Sequence, residues 1–504
     1  MLYFHNLTFI PAEGIFFSPF FLHVSKYIPT FATYMLSLII VFILVLGCVL
    51  MASSHVTNVN KSAVAVFMGT VGWVIYICYG TDFVMSQHWG DYMEFLGGEA
   101  ATSRTVKFFI YDNVFLKYVG RAASIVLFLL STMTIVEILN NNGCFDFITE
   151  WVRTTRTREI LWSLSFISFV LSANLDNLTT TTMMLLIMHD IVQNRRQRIV
   201  IACTIVLAVN TGGCLTVIGD PMGLLLWEGG AITATHFSAY LALPALLAWA
   251  IPTYLMGRTL PSHLDVVWRP APYRGDDTRL NKWQRIVMLI VGIGGLWFIP
   301  TFHNITKLSP FLGALCVLAI LWMVNEVFNR KLIKADIMVR KRVPQVLQYG
   351  SIQMILFVMG IMLTMGVVAE TGALTTVGYI ADTYIHNVWI LGCIAGLISG
   401  IMDTFTVAVA GMSIYPVADF GQVVTASDSA YLSCFTTNGA FWKILAFSSS
   451  VGGCLLCFAT TSGLAMKKME KIHVGWYFKN ITPKILVGWI VGIAVLWAEI
   501  NIRS

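Results

Sequence analysis

The chain has 504 residues, 57% of them hydrophobic and only 12% charged, with a mean hydropathy of +0.76. These values exclude an ordinary soluble domain and place the chain among polytopic membrane proteins. The net charge of +6 is no nucleic-acid signal, because Lys and Arg fall in short clusters between apolar runs, as the positive-inside rule expects.

In chain order, residues 1–30 are aromatic and Pro-containing and read as interfacial. No positive n-region precedes an apolar core in the first 14 residues, so an uncleaved first span is expected rather than a signal peptide. Residues 32–52 and 63–79 are long enough to cross a hydrocarbon core of about 30 Å. Residues 80–119 read as a mixed outside loop and 124–139 as a third span, with a short amphipathic helix running on to Arg153.

The next unit organises the rest. Two apolar runs, 160–171 and 178–191, flank the polar stretch Ser172-Ala-Asn-Leu-Asp-Asn-Leu-Thr179, which carries Asp176. An ionisable residue between membrane segments is a functional-site hypothesis by default. Arg153, Arg156 and Arg158 precede the unit and Arg195, Arg196 and Arg198 follow it, so both ends face one side. A re-entrant hairpin with Asp176 at its tip is expected, its irregular backbone buried in protein or lining a cavity.

Residues 199–227 form a span broken by Gly212-Gly213 and Gly219-Asp220-Pro221, which interrupt a helix by entropy, a missing N–H and a fixed φ. Residues 237–256 return to a basic loop, 286–299 and 311–328 are two further spans, and a second basic loop leads into 351–368.

The pattern then repeats. Ser399-Gly-Ile-Met-Asp-Thr-Phe-Thr406 matches the first polar stretch at Ser, Asp and Thr with an offset of 227, and Gly452-Gly-Cys-Leu455 matches Gly212-Gly-Cys-Leu215 with an offset of 240. Ordered matches at nearly one offset indicate a duplication. The second hairpin, 388–417, has no basic flanks, so its ends face the opposite side from those of the first. A broken span at 432–466 and a last span at 485–497 complete about ten spans and two hairpins. The expected fold is an all-α polytopic membrane protein of two inverted-topology repeats, each with a re-entrant hairpin and a broken helix. Its expected divisions are 1–119 (interfacial segment and two accessory spans), 120–257 (first repeat), 258–347 (basic loops and linking spans) and 348–504 (second repeat and C-terminal span).

Inverted repeats with helices broken at the midplane are a design of secondary transporters. Carbonyl ends and carboxylates suit a hard cation, and a buried carboxylate that holds either a cation or a proton couples one gradient to the other. The candidate oxygen ligands are Asn174, Asp176, Asn177 and Thr179 from the first hairpin and Asp403, Thr404 and Thr406 from the second. Asn210, Asp220, Ser448 and Ser450 come from the broken spans. Na⁺ or Li⁺ suits this all-oxygen set, with Asp176 and Asp403 as transient metal ligands. The aspartates could instead serve as structural caps of half-helices, and the hydroxyls as helix glue. Glu137 and Asn438 are secondary candidates. Lys443 either snorkels or pairs with an aspartate; His189 and His236 read as interfacial. Cys454 and Cys457 form a CxxC that reads as packing, since no second pair lies near.

These residues resemble the NhaD-type sodium/proton antiporters of the ion transporter superfamily. The resemblance rests on Ser172 to Thr181, on Asn210-Thr-Gly-Gly213 through Gly219-Asp220 to Leu226-Trp227, on Ser399 to Thr404, and on Gly452-Gly453 with Gly463; it covers roughly residues 120–500. It implies exchange of Na⁺ or Li⁺ for H⁺ across a bacterial inner membrane, pH homeostasis, essential aspartates and no cofactor, with a homodimer among the candidate assemblies. The chain departs from the family at Gly219-Asp-Pro-Met-Gly223, at Ser450-Val-Gly-Gly-Cys454 and at Ala459-Thr-Thr461. Gly-Asp-Pro is closer to anion-carrying relatives, so a dicarboxylate or arsenite transporter of the same superfamily is the alternative. An intramembrane aspartyl protease, which also needs two buried carboxylates, is the remote one. The first Gly of its Gly-x-Gly-Asp element is absent here, Val217 standing in its place.

Overall fold

The computed structural model describes residues 31–57, 59–152, 154–266, 280–330, 349–419 and 429–503. The interfacial reading of residues 1–30, most of the second basic loop and part of the first fall outside these ranges. The described residues are helical, with two isolated bridges, Arg156–His263 and Val192–Val266, and no strand.

Helix α1 is Phe31–Ala52 and α2 is Lys61–Cys78, whose N-cap Asn60 accepts from the Ser62 N–H. The segment read as a loop at 80–119 is instead helical. Short helices Gly80–Gln87 and Trp89–Leu96 lead to Ser103–Phe109, which passes through a π-helical turn at Ile110–Phe115 into α3, Leu116–Asn141. Scattered polar residues hid two signals there. One is a capping box in which Thr102 and Thr105 exchange hydrogen bonds. The other is an aromatic and aliphatic set, Tyr76, Phe83, Tyr92, Phe109 and Ile110, that packs on Val367 and Val368 as a separate core.

The first hairpin is α4, Thr157–Ser172, and α5, Asn177–Ile191. The first broken span is α6, Arg195–Gly213, and α7, Pro221–Glu228; α8 is Ala234–Gly257. Linking helices α9, Lys282–Thr306 with a π turn at Ile290–Gly294, and α10, Pro310–Phe328, follow. The set then recurs as α11, Tyr349–Glu370; the hairpin α12, Val388–Ser399, and α13, Thr404–Ile414; the broken span α14, Ala440–Gly452, and α15, Thr461–Glu470; and α16, Thr482–Arg503. Among the described residues, seven unbroken helices are long and apolar enough to cross a membrane. Hairpin arms of 16, 15, 12 and 11 residues rise only about 17–24 Å, short of a core of about 30 Å.

Packing follows the repeat. Each hairpin's first arm lies on its own broken span, α4 on α6 and α12 on α14, while each second arm crosses to the other half, α5 onto α15 and α13 onto α7. Helices α8 and α16 pack on each other, and the scaffold helices also cross: α2 lies on α11, and α10 on α3. Close approach fixes the hairpins in place. A Cβ at Gly212 would collide with the Phe169 carbonyl, and one at Gly452 with the Gly396 carbonyl. These are equivalent contacts in the two halves.

Candidate functional site

Each hairpin and each broken span ends a helix and restarts it at an N-cap. The first hairpin restarts at Asp176, whose Oδ2 accepts from the Thr179 N–H at 2.9 Å. The second restarts at Asp403, whose Oδ2 accepts from the Phe405 N–H at 3.2 Å. The first broken span restarts at Asp220, whose Oδ1 accepts from the Met222 N–H at 3.3 Å, with Pro221 as the first helical residue. The second restarts at Thr460, which accepts from the Gly463 N–H at 3.1 Å. The capping role weighed for the aspartates is therefore present, and it uses one oxygen of each.

The three aspartates share one cavity. Asp176, Asn177, Asn210, Asp220, Asp403, Thr404, Thr460 and Thr461 line a single small cavity, closed on its apolar side by Met133 and Met354. The three carboxyl groups are nearly fully buried, and Asp220 lies within electrostatic reach of both Asp176 and Asp403. A relay orients the first half: Ser172 Oγ donates to Asn177 Oδ1 at 2.6 Å, and Asn177 Nδ2 donates to Asp220 Oδ2 at 3.0 Å. Gly213 leaves room for that amide, since a Cβ there would strike Asn177 Oδ1. Asp176 Oδ1 is buried and has no hydrogen-bond partner among the described residues. An orphaned carboxylate oxygen in a native core calls for an explanation such as an ion or a proton.

Of the eleven candidates, the cavity thus gathers Asp176, Asn177, Asn210, Asp220, Asp403 and Thr404. Asn210 holds its helix by donating to the Val206 carbonyl at 2.9 Å. The other five lie elsewhere, and Thr406 is buried on α13 without lining the cavity. Asn174 turns outward, accepting from the Trp297 indole and donating to the Val170 carbonyl. Thr179 contributes its backbone N–H to Asp176. Ser448 and Ser450 are fully buried in α14 but do not line the cavity. The secondary candidates find structural partners. Asn438 accepts from the Thr233 N–H at 2.8 Å in a left-handed turn, Glu137 accepts from Asn141 at 3.2 Å, and the Lys443 ammonium stands 3.8 Å over the Tyr240 ring. His189 faces Glu470, which also binds Arg198. Cys454 and Cys457 are buried free thiols.

Sequence reasoning missed Lys61. It opens α2, more than 340 positions before its partners, where a lysine at a span end ordinarily snorkels. Here its ammonium donates to the Phe458 and Ala459 carbonyls at 2.9 and 3.0 Å and interacts electrostatically with Asp403. No local signal could have linked them. A second polar cluster lies apart from the cavity. Glu370, at the end of α11, meets His88 Nε2 at 2.6 Å and accepts from Tyr118 at 2.8 Å. The hydrogen bond to Glu370 holds the His88 pKa above its ordinary value, against the opposing effect of burial.

Comparison with known proteins agrees with a transport role. A family model described as citrate transporter (CitMHS) matches residues 31–435. Sodium/proton antiporter 1 of Arabidopsis thaliana is 30% identical over 76% of this chain, which spans 63% of that relative's length. Sodium/proton antiporter 2 of the same plant is 28% identical over 76% of this chain and 86% of its own. The Na(+)/H(+) antiporter NhaD of Vibrio cholerae is 25% identical over 76% of this chain and 79% of its own.

Proposed function

The chain belongs to the CitMHS citrate transporter family, and within it we propose a secondary transporter that exchanges Na⁺ or Li⁺ for H⁺. The two sets of elements act as inverted-topology repeats around one site. The cation is held by Asp176 and Asp220, oriented by Asn177 and Asn210, with Asp403 and Thr404 closing the cavity from the second repeat. A bacterial inner membrane is the proposed location, in keeping with relatives named NhaD.

The observation that carries this reading is the unpartnered Asp176 Oδ1, buried in one cavity with Asp220 and Asp403. Two like charges roughly 6 Å apart at an effective dielectric near 20 repel by about 3 kcal/mol. Three carboxylates in one cavity therefore need positive charge, and a proton and a metal cation compete to supply it. Cation entry releases protons, and protonation expels the cation. When one proton is displaced per cation, each pH unit below the titration midpoint weakens apparent cation affinity about tenfold.

A second reading, anion transport, is favoured by the family's citrate description and by four half-helix N-termini that converge on the cavity. Three of those N-termini are already capped by carboxylates of this chain, which would repel an anion. The deciding experiment is dissipation of a preformed pH gradient in everted vesicles on adding NaCl, LiCl, KCl or choline chloride. A response to Na⁺ or Li⁺ that Asp176→Asn removes supports antiport. A failure to respond, with uptake of labelled dicarboxylate or arsenite, supports the anion reading.

A further inference from the structure

The two broken spans superpose in sequence register but not in chemistry. Gly213 and Gly453 end the first segments, and Asp220 and Thr460 cap the second ones, both pairs 240 positions apart. In the second break the carbonyls of Phe458 and Ala459 both accept from the Lys61 ammonium. Their counterparts at the same offset, Ile218 and Gly219, accept no hydrogen bond from the described residues. Carbonyl oxygens at a helix break, beside a hairpin-tip aspartate, are the ligand type a hard cation takes. In the first half that aspartate is Asp176, with an unpartnered oxygen. In the second it is Asp403, which lies within electrostatic range of Lys61.

We propose that Lys61 is a built-in cation: its ammonium fills, in the second break, the place that an exchangeable metal cation takes in the first. The protein then carries one exchangeable metal ion at the first half, while a tethered ammonium stands in for one at the second. An ammonium has three N–H donors, enough for two carbonyls with one left toward the carboxylate. The tether comes from α2, which packs on α11 of the second repeat, so the charge is delivered by the scaffold rather than by either moving hairpin. The statement about metal stoichiometry rests on the antiport reading; the assignment of Lys61 does not.

The test is chemical rescue of Lys61→Ala in detergent, read as thermal unfolding. Truncation to Ala frees two carbonyls within electrostatic range of Asp403, a space that methylammonium or Na⁺ fits and choline does not. The expected result is a lowered Tm that rises with methylammonium as it passes its Kd, does not rise with choline, and no longer rises with methylammonium when Asp403→Asn is added; Na⁺ also reaches the first site, so methylammonium is the discriminating probe. The wild type should ignore methylammonium. A Lys61→Ala protein indifferent to methylammonium, or a wild type that responds equally to methylammonium, overturns the proposal. Should Lys61→Ala not fold, a double-mutant cycle of Lys61→Met and Asp403→Asn replaces it: coupling between the two supports the pairing, and additivity refutes it.

In vesicles the sodium response should have a Hill coefficient of about 1 in the wild type and approach about 2 in Lys61→Ala, which gains a second site. Rescue by methylammonium together with no sodium response in the wild type would sink antiport and leave Lys61 assigned. A sodium response in the wild type without rescue would do the reverse.

Discussion

The first and second breaks share a backbone and differ in charge. Both rest on a glycine pressed against a hairpin carbonyl, Gly212 on Phe169 and Gly452 on Gly396. Both restart at a capped half-helix. Yet the first cap is Asp220, reached by Asn177, whereas the second is Thr460, and a lysine occupies the neighbouring carbonyls. The recurring pattern places polar groups at equivalent positions, and on the proposed mechanism a few side chains decide whether each holds an exchangeable ion or a fixed one.

Substitutions can break this comparison at graded cost. The largest effect is expected from Asp176→Asn, which should lower sodium-dependent exchange at least about a hundredfold, or about 2.7 kcal/mol, in a protein that still folds. Normal exchange in that variant would remove the first half from the mechanism. Next, Gly212→Ala and Gly452→Ala should each lower stability by about 2 kcal/mol, since backbone must move to admit the methyl group. Equal losses in thermal unfolding would show that the two halves share their backbone contact, and a tolerated alanine at one would show that they do not. Asp220→Thr makes the first break resemble the second and should weaken apparent sodium affinity about tenfold; an unchanged sodium half-maximum would mean that Asp220 only caps α7.

The smallest effect lies outside the breaks, where the halves differ again. Glu370 on α11 binds His88, while Glu137 on α3 meets Asn141 of its own helix. Because the folded His88 pKa is raised, its contribution is full below the unfolded value of about 6.5 and fades as pH rises through the folded one. His88→Gln should cost about 1 kcal/mol below that value and progressively less above it. A loss independent of pH would assign His88 a packing role only.

Much of this was legible in the sequence, because membrane segments are interrupted only at a chemical cost. Gly212-Gly213, Gly219-Asp220-Pro221 and the two Ser-x-x-x-Asp stretches marked the breaks and the duplication, and the three aspartates do meet in one cavity. Residues 80–119 were illegible because their helices are held by tertiary packing of Tyr76, Phe83 and Phe109, not by an uninterrupted apolar period. Asn174, Thr179, Ser448 and Ser450 share segments with the cavity residues but do not line the cavity. Lys61 was invisible because its partners are Phe458, Ala459 and Asp403, and only the fold brings them together.

On the proposed mechanism, cation and proton compete for the Asp176–Asp220 pocket. The direct measurement is proton release on Na⁺ binding to purified protein, by calorimetry in two buffers of different protonation enthalpy. Na⁺ binding should release protons, the release should shrink as pH rises and the site is already deprotonated, and Asp176→Asn should abolish it. Sodium binding with no proton release at any pH, or release unchanged in Asp176→Asn, would contradict this mechanism.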